Sequence, residues 1–157
     1  MAKEKERKFL VKSVSYRQMS VKIREISQAY LSTSPDATVR VRIDGDKAWL
    51  TVKSRNVGDT RNEWEYEIPC EDAREMLKVC LQVPLIKTRW IVPYAGLTWE
   101  VDEFHGQLEG LTVAEVELPE DFGEKPIEAL PDFVGREVTG NPDYYNSNLI
   151  TKGIPHE

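Results

Sequence analysis

The chain has 157 residues, of which 31% are charged and 40% hydrophobic, and its net charge is −6. One domain, 1–157, with a real core fits that length. The acidity excludes a general nucleic-acid binder, whose affinity needs a basic surface. No apolar run is long enough to span a bilayer and the N-terminus lacks the apolar core of a signal peptide, so no membrane partner is expected and a cytoplasmic location is. Cys70 and Cys80 have neither C-x-x-C spacing nor clustered His, which excludes zinc; they read as reduced core residues.

Strand patterns dominate. Lys3 to Val11 alternates with the two-residue period of a strand, and Val21 to Leu31 is β-branched and carries Tyr30. Ser34-Pro35-Asp36 predicts a turn, after which Thr38 to Ile43 resumes the alternation. Asp44-Gly45-Asp46 predicts a tight hairpin that sends Lys47 to Arg55 back antiparallel. Asn56 to Asp59, with Gly58, makes a loop before a strand from Arg61 to Ile68. The period then changes. Ala73, Met76, Leu77 and Cys80 share one helical face within Glu71 to Leu81, where Glu71 and Asp72 favour the N-terminal end and Pro84 closes the helix. Leu85 to Val92, Leu97 to Phe104 and Leu111 to Leu118 read as three more strands, punctuated by Pro93-Tyr94-Ala95-Gly96 and His105-Gly106. Past Pro119 the pattern predicts a short helix over Lys125 to Ala129, a turn over Pro131 to Gly135 and a last helix over Asp143 to Lys152. About eight antiparallel strands with a few peripheral helices predict an α+β chain built on a closed or nearly closed β-barrel.

Along these strands charged side chains recur at every second residue. Glu4, Glu6 and Lys8 share one face. Arg40 with Arg42, Thr51 with Lys53, Glu63 with Glu65 and Glu67, Lys87 with Arg89, Glu100 with Asp102, and Glu115 with Glu117 repeat the spacing. A sheet with one solvated face also alternates, but it mixes signs, and here like charges sit two apart on one strand. Like neighbours repel unless a counter-ion or ligand lies between them. The pattern predicts that these side chains converge on one interior, where cations meet a polyanion and carboxylates hold hard divalent ions. Such an interior must be watery, ion-paired or filled by a charged ligand, because burying unpaired charge is costly. Trp49, Trp64, Trp90 and Trp99 are assigned to the opposite phases, packing the outer wall, whereas Tyr30 shares the phase of Gln28 and is expected inside. His105 reads as a turn residue and His156 as part of the tail.

The same residues resemble the CYTH family, also called the triphosphate tunnel metalloenzymes. Its N-terminal E-x-E-x-K is matched by Glu4, Glu6 and Lys8, and the likeness continues in order through Gln28-x-Tyr30-Leu31, Arg40-x-Arg42 and Thr51-x-Lys53-Ser54. It runs on through RNEWEYEIP, Lys87-x-Arg89, Glu100-x-Asp102-x-Phe104 and Glu115-x-Glu117 to GREVT and YYNSNL. One departure stands out. Where family members often carry a D-K-R-Y-like stretch after VTG, this chain has Asn141-Pro142-Asp143-Tyr144, leaving Arg136 or Lys152 as the candidates for a C-terminal basic contact.

The resemblance implies an eight-stranded antiparallel barrel whose tunnel binds triphosphate with Mg²⁺ or Mn²⁺, as two ions. It implies hydrolysis of inorganic tripolyphosphate, or of nucleoside or thiamine triphosphate. Lys8, Arg40, Arg42, Lys53, Lys87 and Arg89 are then the phosphate donors, Arg as a planar fork and Lys as a point charge. Glu4, Glu6, Asp102, Glu115 and Glu117 are the metal-ligand candidates, with Glu4, Glu6, Lys8 and Lys87 as catalytic groups. Glu63, Glu65, Glu67 and Glu100 are candidates for placing the cations, Glu67 above all. Two other functions stay open: a class IV-type adenylate cyclase and a non-catalytic triphosphate or polyphosphate binder. The cyclases carry an H-F pair several residues before E-x-E-x-K, and only Met1, Ala2 and Lys3 precede Glu4 here. The retained carboxylates weigh against a pure anion binder. The oligomeric state is open, a homodimer included.

Overall fold

The computed structural model describes residues 2–156. Its strands are β1 (Ala2–Val11), β2 (Lys22–Ser34), β3 (Ala37–Asp44), β4 (Lys47–Ser54), β5 (Thr60–Ile68), β6 (Leu85–Tyr94), β7 (Leu97–Phe104), β8 (Thr112–Glu117) and β9 (Val134–Glu137). Three α-helices accompany them: α1 (Tyr16–Met19), α2 (Cys70–Lys78) and α3 (Asn146–Lys152). The sheet runs β5-β4-β3-β2-β6-β7-β8-β1, and β1 pairs back onto β5, so eight antiparallel strands close a barrel. None of the described helices is long and apolar enough to cross a membrane.

The closing seam has a structure of its own. The first half of β1 pairs with β5, ending at Lys5 opposite Thr60, and its second half pairs with β9, starting at Phe9 opposite Glu137. Between the two partners lie Glu6 to Lys8. Their backbone is held by loop groups: the Glu6 amide donates to the Asp59 carbonyl at 3.1 Å, and the Lys8 amide to Thr139 Oγ1 at 2.9 Å. Two-residue turns join β3 to β4 and β6 to β7. Gly45 supplies positive φ in the first, and Ala95 and Gly96 both take it in the second, as primed hairpin turns require.

Apolar residues gather in three places. Outside β1 and β6–β8, Phe9, Trp99, Val101, Ala114 and Val116 pack against Tyr16 of α1 and Phe133. Outside β3 and β4, Val41 and Ala48 receive Ala73 of α2, with Met76 and Leu77 alongside. The third cluster is different. Leu85, Phe104 and Val113 share the strand phase of Lys87, Asp102 and Glu115, so they lie within the barrel, where Tyr144 and Leu149 pack on them from the C-terminal segment. One end of the interior is thus plugged with hydrocarbon, and the charged residues occupy the rest.

The eight predicted strands are present, and the structure differs from the sequence reading at short elements. Lys125 to Ala129 is not helical: Pro126 interrupts it, and Arg7 takes the carbonyls of Gly123 and Lys125 at 3.0 and 2.7 Å. The segment read as a turn up to Gly135 starts the four-residue β9, too short to show a period. α1 escapes notice for the same reason. The C-terminal helix comes in two pieces because Tyr145, at φ −68° and ψ 135°, separates a 3₁₀ turn from α3. Cys70 and Cys80 are free thiols but half-buried rather than core. Trp49 is a correction of phase: it lies in register with Arg42 and Glu67, on the inner face beside Thr51, while Trp64, Trp90 and Trp99 face outward.

Candidate active site

The residues that face the barrel interior above the plug line one cavity of about 270 Å³. Period-two alternation puts them there from every strand of the barrel, seven carboxylates and seven cations among the described residues. The signs are segregated around the wall. Lys53 of β4, Arg40 and Arg42 of β3, Arg24 of β2 and Arg89 of β6 form a continuous cationic arc. Glu100 of β7, Glu115 and Glu117 of β8, and Glu4 and Glu6 of β1 form the acidic arc opposite, with Lys8 beside them. β5 joins the two with Arg61, Glu63 and Glu65.

Ion pairs tie the arcs at their borders. Lys53 lies 2.8 Å from Glu4 and 3.5 Å from Glu63, Arg61 lies 3.7 Å from both Glu4 and Glu6, and Lys8 lies 3.7 Å from Glu115. Arg40 bonds Thr51 at 3.2 Å, and Thr51 in turn donates to Glu65 at 2.7 Å. Deeper in the cationic arc the pairing thins. Arg42 donates to the neutral amide oxygen of Gln28 at 3.1 Å, and the buried Nε of Arg40 has no partner. Burial, with Arg40 and Arg89 beside it, pushes the Arg42 guanidinium down to about 9. A guanidinium keeps its proton in a protein, so Arg42 carries its charge against burial first and against Arg40 and Arg89 second, with Asp102 and Glu100 offsetting part of the cost.

The floor is formed by Lys87 and Asp102, both fully or nearly fully buried. Asp102 takes two hydrogen bonds from Arg89, at 2.8 and 2.9 Å, and has the Lys87 ammonium 2.7 Å away at an angle that makes no directed bond. The same ammonium sits 5.6 Å from the Phe104 ring centroid, against the plug. Burial pushes Lys87 down to about 7, with Asp102 opposing and Arg89 and Arg42 adding to the shift. Asp102, despite its burial, is held down to about 2 by Arg89 and Lys87. Sequence spacing assigns both to the cavity wall, whereas the structure sets them beneath it.

The acidic arc holds carboxylates in pairs. Burial together with Glu115 and Glu4 pushes Glu6 well above the usual carboxylate range, while Glu115, buried too, is held well below it by Lys8 and by a hydrogen bond from Glu6. Burial and a hydrogen bond with Glu4 lift Glu63 to about 7; Glu4 itself stays below the usual range against burial because Lys53 and those shared bonds outweigh it. Burial, then Glu4 and Glu100, raise Glu117 as well. Two carboxylates in hydrogen-bonding contact need a proton between them or a cation in its place. Among the described residues no three such groups converge tightly enough to chelate an ion unaided.

Of the residues singled out by spacing, Glu4, Glu6, Lys8, Arg40, Arg42, Lys53, Arg89, Glu115 and Glu117 meet in the cavity, as do Tyr30, Glu63, Glu65 and Glu100. Glu67 is exposed outside it, and neither Arg136 nor Lys152 lines it. Spacing overlooked Arg61, although it opens the run Arg61-x-Glu63-x-Glu65 in the same phase, and Arg24, which shares the phase of Gln28. Thr139, Tyr145 and Ser147 at the cavity mouth carry no periodic signal at all.

Residues 2–137 match the CYTH domain. The chain belongs to the CYTH family. The inorganic triphosphatase of Acetivibrio thermocellus is 45% identical over 151 residues, covering 96% of this chain and 94% of that one. A crystal structure of the inorganic triphosphatase NE1496 superposes with a TM-score of 0.63 at 29% identity, over 96% of this CYTH chain and 95% of the other. HpAC1 from Hippeastrum, described as an adenylyl cyclase homologue with a dominant triphosphatase activity, shares 19% identity over 74% of this chain and 80% of its own, with a TM-score of 0.59. That last likeness concerns the fold of the CYTH barrel alone.

Proposed function

We propose that this chain is a divalent-metal-dependent phosphoanhydride hydrolase whose substrate is inorganic tripolyphosphate, with 1–157 acting as one CYTH-type tunnel domain in the cytoplasm. The observation that carries the reading is the segregation of charge in the cavity, a cationic arc facing an acidic one across a space that fits a short polyanion and its metals. The 45% identity to an inorganic triphosphatase supports it over nearly the whole chain.

The arcs divide the work. Arg40, Arg42 and Arg89 offer planar forks to phosphate oxygens, and Lys53 and Lys8 add point charges at either side. Ionic contacts of this kind fix a chain of three phosphates along the cationic arc and leave its other oxygens facing the carboxylates. Glu4, Glu6, Glu115 and Glu117 are the residues that would hold two Mg²⁺ or Mn²⁺ ions, and the ions would neutralise phosphate charge and lower the cost of water attack. Asp102 was a ligand candidate by spacing; bound by Arg89 and Lys87, it serves better as the counter-charge that aims Arg89. Lys87 was a catalytic and phosphate-binding candidate by spacing; fully buried beneath the floor and 2.7 Å from Asp102, it serves better as a charge that holds Asp102 than as a group that reaches substrate.

The test is a product assay. The protein is incubated with tripolyphosphate, ATP and thiamine triphosphate plus Mg²⁺ or Mn²⁺, and phosphate, pyrophosphate and cyclic AMP are measured. Phosphate and pyrophosphate from tripolyphosphate, without cyclic AMP from ATP, are the expected products. Cyclic AMP with pyrophosphate would establish the cyclase alternative, and binding without turnover the non-catalytic one.

A further inference from the structure

Among the described residues seven cations line the cavity, and six of them have a carboxylate within 3.7 Å. Lys8 has Glu115, Arg24 has Asp44, Arg40 has Glu65, Arg89 has Asp102, and Lys53 and Arg61 share Glu4. Arg42 is the exception. Its Nε donates to the amide oxygen of Gln28 at 3.1 Å, and no described carboxylate forms an ion pair with it.

Gln28 stands directly across from Arg42 in the β2–β3 pairing, in the inward phase. It is completely buried and lies behind the cavity wall rather than on it. The direction of its amide is dictated by its neighbour: turned over, Nε2 would meet the Arg42 Nε as donor against donor. In the orientation that serves Arg42, Gln28 Nε2 is buried without a hydrogen-bond partner. A buried amide nitrogen left unpaired lowers stability, and a methionine of similar length would avoid that. A glutamate would instead supply the ion pair that the other six cations have. Stability therefore does not account for glutamine here. What the amide does, and neither alternative can, is fix the guanidinium through Nε while leaving its charge uncompensated. Both Nη groups, which the described residues do not engage, remain for phosphate oxygens.

We propose that Gln28 is a positioning residue for substrate binding, which aims Arg42 at the triphosphate without neutralising it. The proposal rests on the triphosphatase reading of the cavity and adds a residue, outside the cavity wall, that sets its affinity for the polyanion.

Two substitutions test it. Gln28→Glu keeps the shape and gives Arg42 the ion pair it lacks, and Gln28→Met keeps the length and removes the acceptor. Gln28→Met is also made in an Arg42→Met background. Folding is checked by thermal melt, and tripolyphosphate turnover with Mg²⁺ is measured beside titration with inorganic imidotriphosphate. In Gln28→Glu, KM and the imidotriphosphate Kd should both rise about tenfold, the low end for a hydrogen bond to a charged group. kcat should stay within about twofold, because bound substrate and transition state share the interaction. Gln28→Met should raise Kd about threefold, and that effect should vanish in the Arg42→Met background, since Gln28 acts through Arg42.

Unchanged KM and Kd in the folded variants would overturn the proposal, as would a loss carried by kcat alone. So would a Gln28→Met effect that persists at full size in the Arg42→Met background, which is the mark of a general packing role. If Gln28→Glu does not fold, Gln28→Met and the double variant decide. The two readings fail separately. A wild type that hydrolyses tripolyphosphate beside Gln28 variants that match it leaves the triphosphatase reading standing and removes this one. A wild type that binds imidotriphosphate without hydrolysing tripolyphosphate removes the hydrolytic reading, and the Kd comparison still decides the role of Gln28.

Discussion

Arg42 gives its hydrogen bond to a neutral amide while two more guanidiniums, Arg40 and Arg89, stand close enough to oppose its charge. Arg42 is half-buried and faces the cavity. On the proposed function, an anion bound there offsets the opposing charges. Arg40→Ala and Arg42→Ala should each weaken binding of a non-hydrolysable triphosphate by about 1.5–3 kcal/mol, the scale of a hydrogen bond to a charged group. Arg→Lys at either position should recover part of that, since an ammonium cannot reproduce the two-pronged fork. Titration in the presence of Mg²⁺ measures both. Unchanged affinity in both alanine variants would reduce these arginines to bystanders.

At the scale of the element, β1 shows what alternation could and could not reveal. Its even residues Glu4, Glu6 and Lys8 face the cavity, as spacing predicts, but its odd residues Lys5 and Arg7 are buried as well, on the outer face. Both meet Asp59, Lys5 at 2.6 Å and Arg7 at 3.4 Å, and Arg7 also lies 5.1 Å from the Phe122 ring centroid. Nothing local marks Asp59 for this, because its partners lie 52 and 54 residues away. The pairing fixes the strand at its seam, just where Glu6 leaves β5 for β9. Asp59→Asn removes the counter-charge from two buried cations; Arg7 keeps its carbonyl acceptors, whereas Lys5 loses its charged partner. The change should cost about 3 kcal/mol, near the low end for breaking a buried pair. The pH dependence has a definite sign. Against its burial, hydrogen bonds from Lys5 and Thr60 hold the Asp59 carboxyl below its ordinary value of 3.8. The native state thus binds fewer protons than the unfolded chain, and the stabilisation, complete above the unfolded value, is lost as pH falls through and below about 3.8. Urea unfolding of wild type and Asp59→Asn at pH 7 and pH 3 checks it: the gap should narrow on acidification, and a gap that widens would contradict the pairing.

At the scale of the whole molecule, eight of the nine strands, α2 and the convergence of charge were legible because long elements repeat their period many times. The short pieces were not: α1, β9 and the mouth residues Thr139 to Ser147 are too brief to carry a period, and their places are set by packing on β1 and on the plug. Lys87 and Asp102 follow the inward phase faithfully, yet alternation gives direction and not depth, so their position under the floor could not be read. The plug itself arises because the same phase turns apolar at Leu85, Phe104 and Val113. On the proposed function, an anion along the cationic arc and metal ions along the acidic arc each relieve the repulsion on their own side. The protein's melting temperature should therefore rise more with Mg²⁺ and imidotriphosphate together than with the sum of either alone, by about 2–4 °C for each kcal/mol of added binding energy. Additive shifts in a thermal melt would mean that the two arcs act independently.

The most direct test of the account is phosphate release from tripolyphosphate by the wild type and by Glu6→Gln, with Mg²⁺ or Mn²⁺ present and again after chelation. Glu6 stands beside Glu115 in the acidic arc, where burial and that neighbour push its carboxyl well above the usual range, so the variant loses an oxygen proposed to bind metal while keeping the shape of the side chain. The account predicts metal-dependent release by the wild type, abolished by the chelator and reduced at least about a hundredfold in a folded Glu6→Gln, the order expected when a catalytic metal site is impaired. Release that persists under chelation, or that Glu6→Gln leaves at the wild-type rate, would contradict it.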